Sequence, residues 1–196
     1  MAKLYYRYGA MNSGKTASLL MVADNYLSQG RDIIILKPDK DTRWERGEVK
    51  SRAIVTSRQA HLVNDAFDLY DFVKERAEGL HAVLVDEAQF LTREQIFQLT
   101  RVVDELDLPV LCYGLRCSYN GNLFEGSAAL MFWADAIEEI KTVCTYCKGK
   151  ATHNLLRIDG VPLYEGDFVV MGDISGDRAV FAPVCRRHYR KPPSPQ

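Results

Sequence analysis

Eight consecutive residues, Gly9, Ala10, Met11, Asn12, Ser13, Gly14, Lys15 and Thr16, follow the spacing G-x-x-x-x-G-K-[ST]. A stretch of this kind holds phosphates. Its glycines let backbone N–H groups curl around phosphate oxygens, and a following helix adds the partial positive charge of its N-terminus. A lysine at Lys15 then reaches the β- and γ-phosphates of ATP, and a hydroxyl at Thr16 ligates Mg2+. The pattern is short enough to arise by chance. Its setting, after an apolar run and before a helical pattern, gives it weight.

A second motif is Val83-Leu84-Val85-Asp86-Glu87, an apolar run that ends in two carboxylates. Ligands of open α/β sheets bind at the C-terminal edge of the strands. A phosphate loop sits at that same edge, so the two motifs are expected to face each other. Asp86 suits Mg2+, through water. Glu87 suits a general base that removes a proton from an attacking hydroxyl. Kinases and ATPases share such a pair, so it does not identify the acceptor. Without the phosphate loop it would read as an acidic helix start that complements the dipole.

Cys144-x-x-Cys147 and Cys185-x-x-His188 are separated by 37 residues. Zinc takes four soft or borderline ligands in a tetrahedron, and two such pairs on opposed turns supply them. With all four positions filled, the expected site is closed and structural, stapling a segment too small to be held by its own core. Iron is an alternative occupant of the same ligand set. Cys112 lies within an apolar run and reads as core; Cys117 has no role in this reading.

The elements that must position these groups alternate between strand and helix. Leu4–Tyr8 reads as a strand leading into Gly9, and Lys15–Gln29 as a helix closed by Gly30. Asp32–Lys37 reads as a buried strand ended by Pro38, and Arg52–Thr56 as a further strand. Asp68–Glu78 reads as a helix capped by Asp68. His81–Val85 is the strand that delivers the two acids. Thr92 and Gln95 make a capping box for the next helix, whose stripe is Ile96, Leu99, Val102 and Leu106; Pro109–Tyr113 is the strand after it. This order predicts an α/β domain with a mainly parallel sheet flanked by helices. Near residue 140 the pattern changes to short β-like runs: Lys150–Ile158, Phe168–Met171 and Ala179–Val184. The expected division is 1–140 for the ATP-binding domain, 141–189 for a zinc-binding domain and 190–196 for a proline-rich, disordered tail.

Composition narrows the function classes. The 196 residues are 47% hydrophobic and 26% charged, which is the profile of a soluble globular chain. The net charge of -1, from 25 basic and 26 acidic residues, gives no electrostatic case for nucleic acid or a membrane surface. No apolar run approaches the ~18 residues that cross a bilayer, and the start, Met1-Ala-Lys, contains no signal-peptide core. A cytoplasmic location is expected.

In this order the motifs resemble the type II, zinc-containing thymidine kinases, the family of the human cytosolic enzyme and of many bacterial ones. Gly9–Thr16, Lys40-Asp41-Thr42-Arg43, Val85-Asp86-Glu87-Ala88-Gln89-Phe90, Tyr113-Gly114-Leu115-Arg116 and the CxxC…CRxH ligand set carry the resemblance, from Leu4 to Tyr189. It implies a P-loop NTPase-type sheet with a zinc-ribbon-like domain and a lid (lasso) loop. It also implies ATP as donor, thymidine or deoxyuridine as acceptor, feedback inhibition by dTTP, and a homotetramer. Glu87 matches the catalytic base. Asp41, on the Mg2+ side, and Arg43 match polar residues near the reacting phosphate. Met11, Phe90, Leu115, Tyr119 and Phe124 match the pocket around the base, with Phe168, Val170, Gly172 and Phe181 on the lid. A flat pyrimidine wants aromatic faces and apolar walls. Read without the family, the first five of these pocket residues are ordinary core. The lid departs from the family pattern: it is about four residues longer, within what surface loops tolerate. Asp173 replaces the second glycine of a pair, and Phe181 replaces a tyrosine.

Two other readings share the phosphate loop. A nucleic-acid-dependent ATPase with a zinc ribbon would need a basic face and a second motor domain, and neither is in the sequence. A regulator that has lost catalysis would bind dTTP without turnover, yet Lys15, Thr16, Asp86 and Glu87 are all in place.

Overall fold

In chain order the elements are β1 (Leu4–Tyr8), α1 (Lys15–Leu27), β2 (Asp32–Pro38), β3 (Glu48–Lys50), β4 (Ser57–Gln59), β5 (His61–Val63) and α2 (Leu69–Lys74). They continue with β6 (Leu80–Val85), a 3₁₀ turn (Ala88–Phe90), α3 (Arg93–Leu106), β7 (Val110–Gly114), α4 (Glu125–Trp133) and β8 (Ala136–Glu139). The last are β9 (His153–Ile158), β10 (Val161–Leu163), β11 (Ala179–Val184) and α5 (Arg186–Arg190). The structure is a computed structural model and describes residues 1–41, 47–51, 57–166 and 179–194.

Six strands pair in the order β5-β2-β6-β7-β1-β8, every pairing parallel. A parallel sheet is covered on both faces, so its strands are apolar at consecutive positions. Strands β2, β6 and β7 send alternate side chains to two separate cores. Ile34, Leu36, Val83, Val85, Val110 and Cys112 join Leu69 and Val73 of α2, Ile96, Leu99 and Val102 of α3, and Leu130 of α4. Ile35, Ala82, Leu84, Leu111 and Tyr113 join Leu19, Leu20 and Ala23 of α1. The apolar stripe read for α3 is thus its buried face, and Cys112 is core. The Thr92–Gln95 capping box forms, with Gln95 N–H donating to Thr92 Oγ1 and Thr92 N–H to Gln95 Oε1, each at 3.1 Å.

Some boundaries differ from those read in the sequence. Helix α2 stops at Lys74 rather than running to Glu78. There the backbone switches to tighter bonds, Arg76 N–H to Val73 O and Ala77 N–H to Lys74 O, which close the helix three residues back instead of four. Helix α4 and the short strands β3, β4, β5, β8 and β10 have no counterpart in the sequence reading. The expected strands at 52–56 and 168–171 lie outside the described residues.

The C-terminal part has its own antiparallel sheet, β10-β9-β11. Its small core gathers Cys144, Leu155, Ala182 and Val184. Beyond α5, the Arg157 guanidinium donates to Pro193 O at 2.5 Å. Among the described residues no helix is long and apolar enough to cross a membrane.

Leu99 has no exposed surface and sits where α3 meets the sheet. Leu99→Ala should cost about 2–5 kcal/mol, as truncation of a buried leucine does. Denaturant unfolding monitored by circular dichroism measures it.

Candidate active site

Strand β1 delivers Gly9 at the C-terminal edge of the sheet, and α1 begins at Lys15. Between them Asn12 and Gly14 take left-handed backbone angles, with φ of 58° and 85°. Gly14 is the residue that enters this conformation without strain. The turn so formed aims successive N–H groups to one side, as anion-binding nests do. Lys15 is buried, and its Nζ donates to Gly9 O at 3.3 Å and Ala10 O at 3.0 Å, which folds the ammonium into the loop. The Ser13 hydroxyl is buried and, among the described residues, has no hydrogen-bond partner. A phosphate oxygen would satisfy it.

Strand β6 carries Asp86 and Glu87 to the same edge. Thr16 Oγ1 lies 3.3 Å and 3.4 Å from the two carboxylate oxygens of Asp86. The facing of the two motifs expected from the sequence is therefore present. A hydroxyl and a carboxylate this close are the hard oxygen donors that Mg2+ takes.

Glu87 is buried and left-handed, with φ 51° and ψ 38°. That conformation costs a non-glycine residue about 1–2 kcal/mol. It is held by Gln89, which the sequence reading left without a role of its own. Gln89 Nε2 donates to Glu87 Oε2 at 2.5 Å, and Gln89 Oε1 accepts from Leu115 N–H at 2.9 Å. Gly114 makes room for this bridge: a Cβ there would stand 2.6 Å from Gln89 Oε1. Leu115 O in turn accepts from Tyr6 Oη at 2.7 Å and Ser127 Oγ at 2.5 Å. The start of the loop after β7 is thus tied to the acid pair by hydrogen bonds.

Four of the expected base-pocket residues form two aromatic pairs, each with one member in that loop. Phe90 and Phe124 meet edge to face at 5.6 Å. Tyr119 and Phe181 do so at 6.2 Å, the Phe181 ring reaching across from β11. Tyr189 Oη also donates to Tyr119 O at 2.6 Å. Met11 is engaged through its backbone: its N–H donates to Asn154 Oδ1 of β9 at 2.8 Å. Asn154 is buried and was not anticipated. Asp41 is buried beside Lys37, carboxylate to ammonium 3.2 Å, and Lys37 Nζ also donates to Glu48 O at 3.0 Å. Arg43, Phe168, Val170, Gly172 and Asp173 lie outside the described residues.

The Cys144, Cys147, Cys185 and His188 ligand atoms all lie within 4.8 Å of one another. Cys147 Sγ and Cys185 Sγ are 3.9 Å apart, and His188 Nδ1 is 3.3 Å from Cys144 Sγ and 3.5 Å from Cys185 Sγ. Zn–S bonds of about 2.3 Å in a tetrahedron give sulfur–sulfur edges of about 3.8 Å. The cluster therefore has the size of a zinc site. Tyr146 N–H and Gly149 N–H point at the Cys144 and Cys147 sulfurs, at 3.5 Å and 3.4 Å. Burial opposes ionisation of the Cys144 thiol. Hydrogen bonds from the backbone of Cys185 and Tyr146, with His188 and Cys147 alongside, outweigh it and bring the thiol down to about 6. A thiolate at neutral pH is the form a metal needs. Cys117 is buried and bridges Leu123, away from this cluster.

Cys147→Ser should lower bound zinc well below the one equivalent per chain expected of the parent protein, with the β9–β11 sheet loosened before the central one. Elemental analysis with hydrogen exchange measures both; full zinc content in the variant would refute the four-ligand site.

The thymidine kinase family model matches residues 2–189. A thymidine kinase of Streptococcus gordonii is 47% identical over 192 residues, covering 98% of this chain and 98% of that protein. Thymidine kinases of Streptococcus agalactiae and Streptococcus pyogenes are each 45% identical over 192 residues, covering 98% of this chain and 99% of theirs. Likeness at this level spans both the central sheet and the C-terminal part, and the chain belongs to the thymidine kinase family, among its type II, bacterial-like members.

Proposed function

We propose that this chain is an ATP:thymidine 5′-phosphotransferase, which moves the γ-phosphoryl group of ATP to the 5′-hydroxyl of thymidine, and of deoxyuridine, in nucleotide salvage for DNA synthesis. Family membership supports the substrate pair. The observation that carries the chemistry is the approach of Thr16 to Asp86 beside a Glu87 held by Gln89.

Glu87 takes the proton of the 5′-hydroxyl as that oxygen bonds to the γ-phosphorus and the bond to the β,γ-bridging oxygen breaks, releasing ADP and dTMP. Lys15 and the amides of Gly9–Thr16 offset the charge on the transferred oxygens. Thr16 and Asp86, with Asp41 as the family resemblance assigns it, would hold Mg2+, which neutralises phosphate charge when bound. Arg43 is assigned to the same charge. Phe90, Phe124, Leu115, Tyr119 and Met11 form the walls for the thymine ring, and the family resemblance assigns Phe168, Val170, Gly172 and Phe181 to the lid side of the pocket. The lid excludes water, which would otherwise accept the phosphoryl group.

In this reading residues 1–140 are the ATP-binding unit, 141–189 a lid unit stapled by structural zinc, and 190–196 a tail. Feedback by dTTP follows from its being the acceptor's own triphosphate, able to span the base pocket and the phosphate loop together. A homotetramer, supported by the family resemblance, and a cytoplasmic location, supported by the sequence pattern, complete the proposal.

The test is ATP consumption with Mg2+, with and without thymidine, with product analysis. Thymidine-dependent turnover yielding dTMP is expected; turnover that needs DNA instead of a nucleoside would overturn the reading. A second prediction concerns Gln89. Gln89→Leu removes the N–H donor that orients the Glu87 carboxylate. Turnover should fall roughly 10- to 100-fold with ATP binding unchanged, the loss of one charge-assisted hydrogen bond. Turnover at the parent rate would mean that Gln89 does not orient the base.

A further inference from the structure

Arg116, Arg186, Arg187, Arg190 and Lys191 line one cleft of about 910 Å3. The whole chain carries a net charge of only -1, so five cations around one cavity are a local concentration. Among the described residues no carboxylate lines the cleft and none of the five forms an ion pair. Zinc held by three thiolates and a neutral imidazole has one net negative charge, which offsets one of the five.

The cleft is built from two parts of the fold. Arg116 follows β7, and its Nη2 donates to Thr152 O at 3.2 Å, which fixes the guanidinium at the wall. The other four come from α5 and its C-terminal end. His153 supplies a flat wall, stacked on Tyr189 at 4.9 Å and 29°. Burial, then the charges of Arg116 and Arg186, hold this imidazole below the ordinary histidine range.

The position is distinct from the candidate active site. Successive strand residues point to opposite faces. Asn154 faces the phosphate loop through Met11 N–H, so His153 and the cleft lie on the other face of β9.

We propose that this cleft is a second anion site, which binds a small polyphosphate, either free or as part of a nucleotide. Guanidinium forks match phosphate oxygens two at a time, and convergent unpaired cations gain most from a multiply charged ligand. The volume is that of a small-molecule site. A nucleic-acid strand would need an extended basic track, and the near-neutral chain supplies none.

The test titrates inorganic tripolyphosphate into the full-length, zinc-loaded protein by calorimetry. The parent protein should bind one more tripolyphosphate per chain than Arg187→Glu/Arg190→Glu, whose positions are exposed. Arg116→Gln, a milder change, should weaken the same extra site roughly 10-fold or more, the loss of a charged hydrogen bond. A nucleoside triphosphate titrated in parallel assigns the source: tighter binding at the extra site marks a nucleotide, equal binding the phosphate chain alone. Identical stoichiometry and affinity in the parent and both variants would overturn the proposal. Because the readout is binding, a failure of the kinase reading would leave it untouched.

Discussion

The approach of the Thr16 hydroxyl to the Asp86 carboxylate, 3.3 Å and 3.4 Å from its two oxygens, is the contact on which the rest of the site depends. Thr16 belongs to the first turn of α1 and Asp86 to the end of β6, elements 70 residues apart. They meet because β1 and β6 run parallel on either side of β7, so their C-terminal ends share one edge. A register slip of one residue in β6 would turn Val83 and Val85 toward α1 and carry both acids out of place. The two cores on opposite faces of the sheet are what forbid that slip.

Much of this was readable because it rests on local rules. Consecutive apolar residues mark a strand buried on both sides, and the phosphate-loop spacing works through its own backbone. The cysteine pairs announce themselves by ligand type. What stayed hidden depends on partners distant in sequence. Gln89 sits between Ala88 and Phe90, and nothing beside it in the sequence marks it. Its role appears only when Leu115, 26 positions on, presents its N–H. Asn154 lies in a run that predicts a strand and nothing more, until β9 is laid against the phosphate loop. Lys37 ends an apolar strand, where a lysine is ordinarily solvated; instead it is buried against Asp41 and the carbonyl of Glu48. Helix α4 escaped because it is apolar around much of its circumference and shows no single stripe.

The C-terminal unit has a core of only a few residues, and the metal cluster is its principal tie. Its contacts to the larger sheet are specific: Asn154 on the phosphate loop, Phe181 and Tyr189 on Tyr119, Lys150 on Glu139. The metal ligands therefore act on the site at a distance, by fixing the sheet that bears Asn154 and Phe181.

The most direct measurement is a single-turnover comparison of Glu87→Gln with the parent enzyme, using ATP, Mg2+ and thymidine. The variant keeps the side-chain volume and a group able to meet Gln89, but it has no base. The account predicts unchanged ATP binding and a transfer step slower by roughly 10²-fold or more, as removal of a general base produces. Transfer at near the parent rate would contradict the role of Glu87, and with it the reason for the strained backbone that holds it.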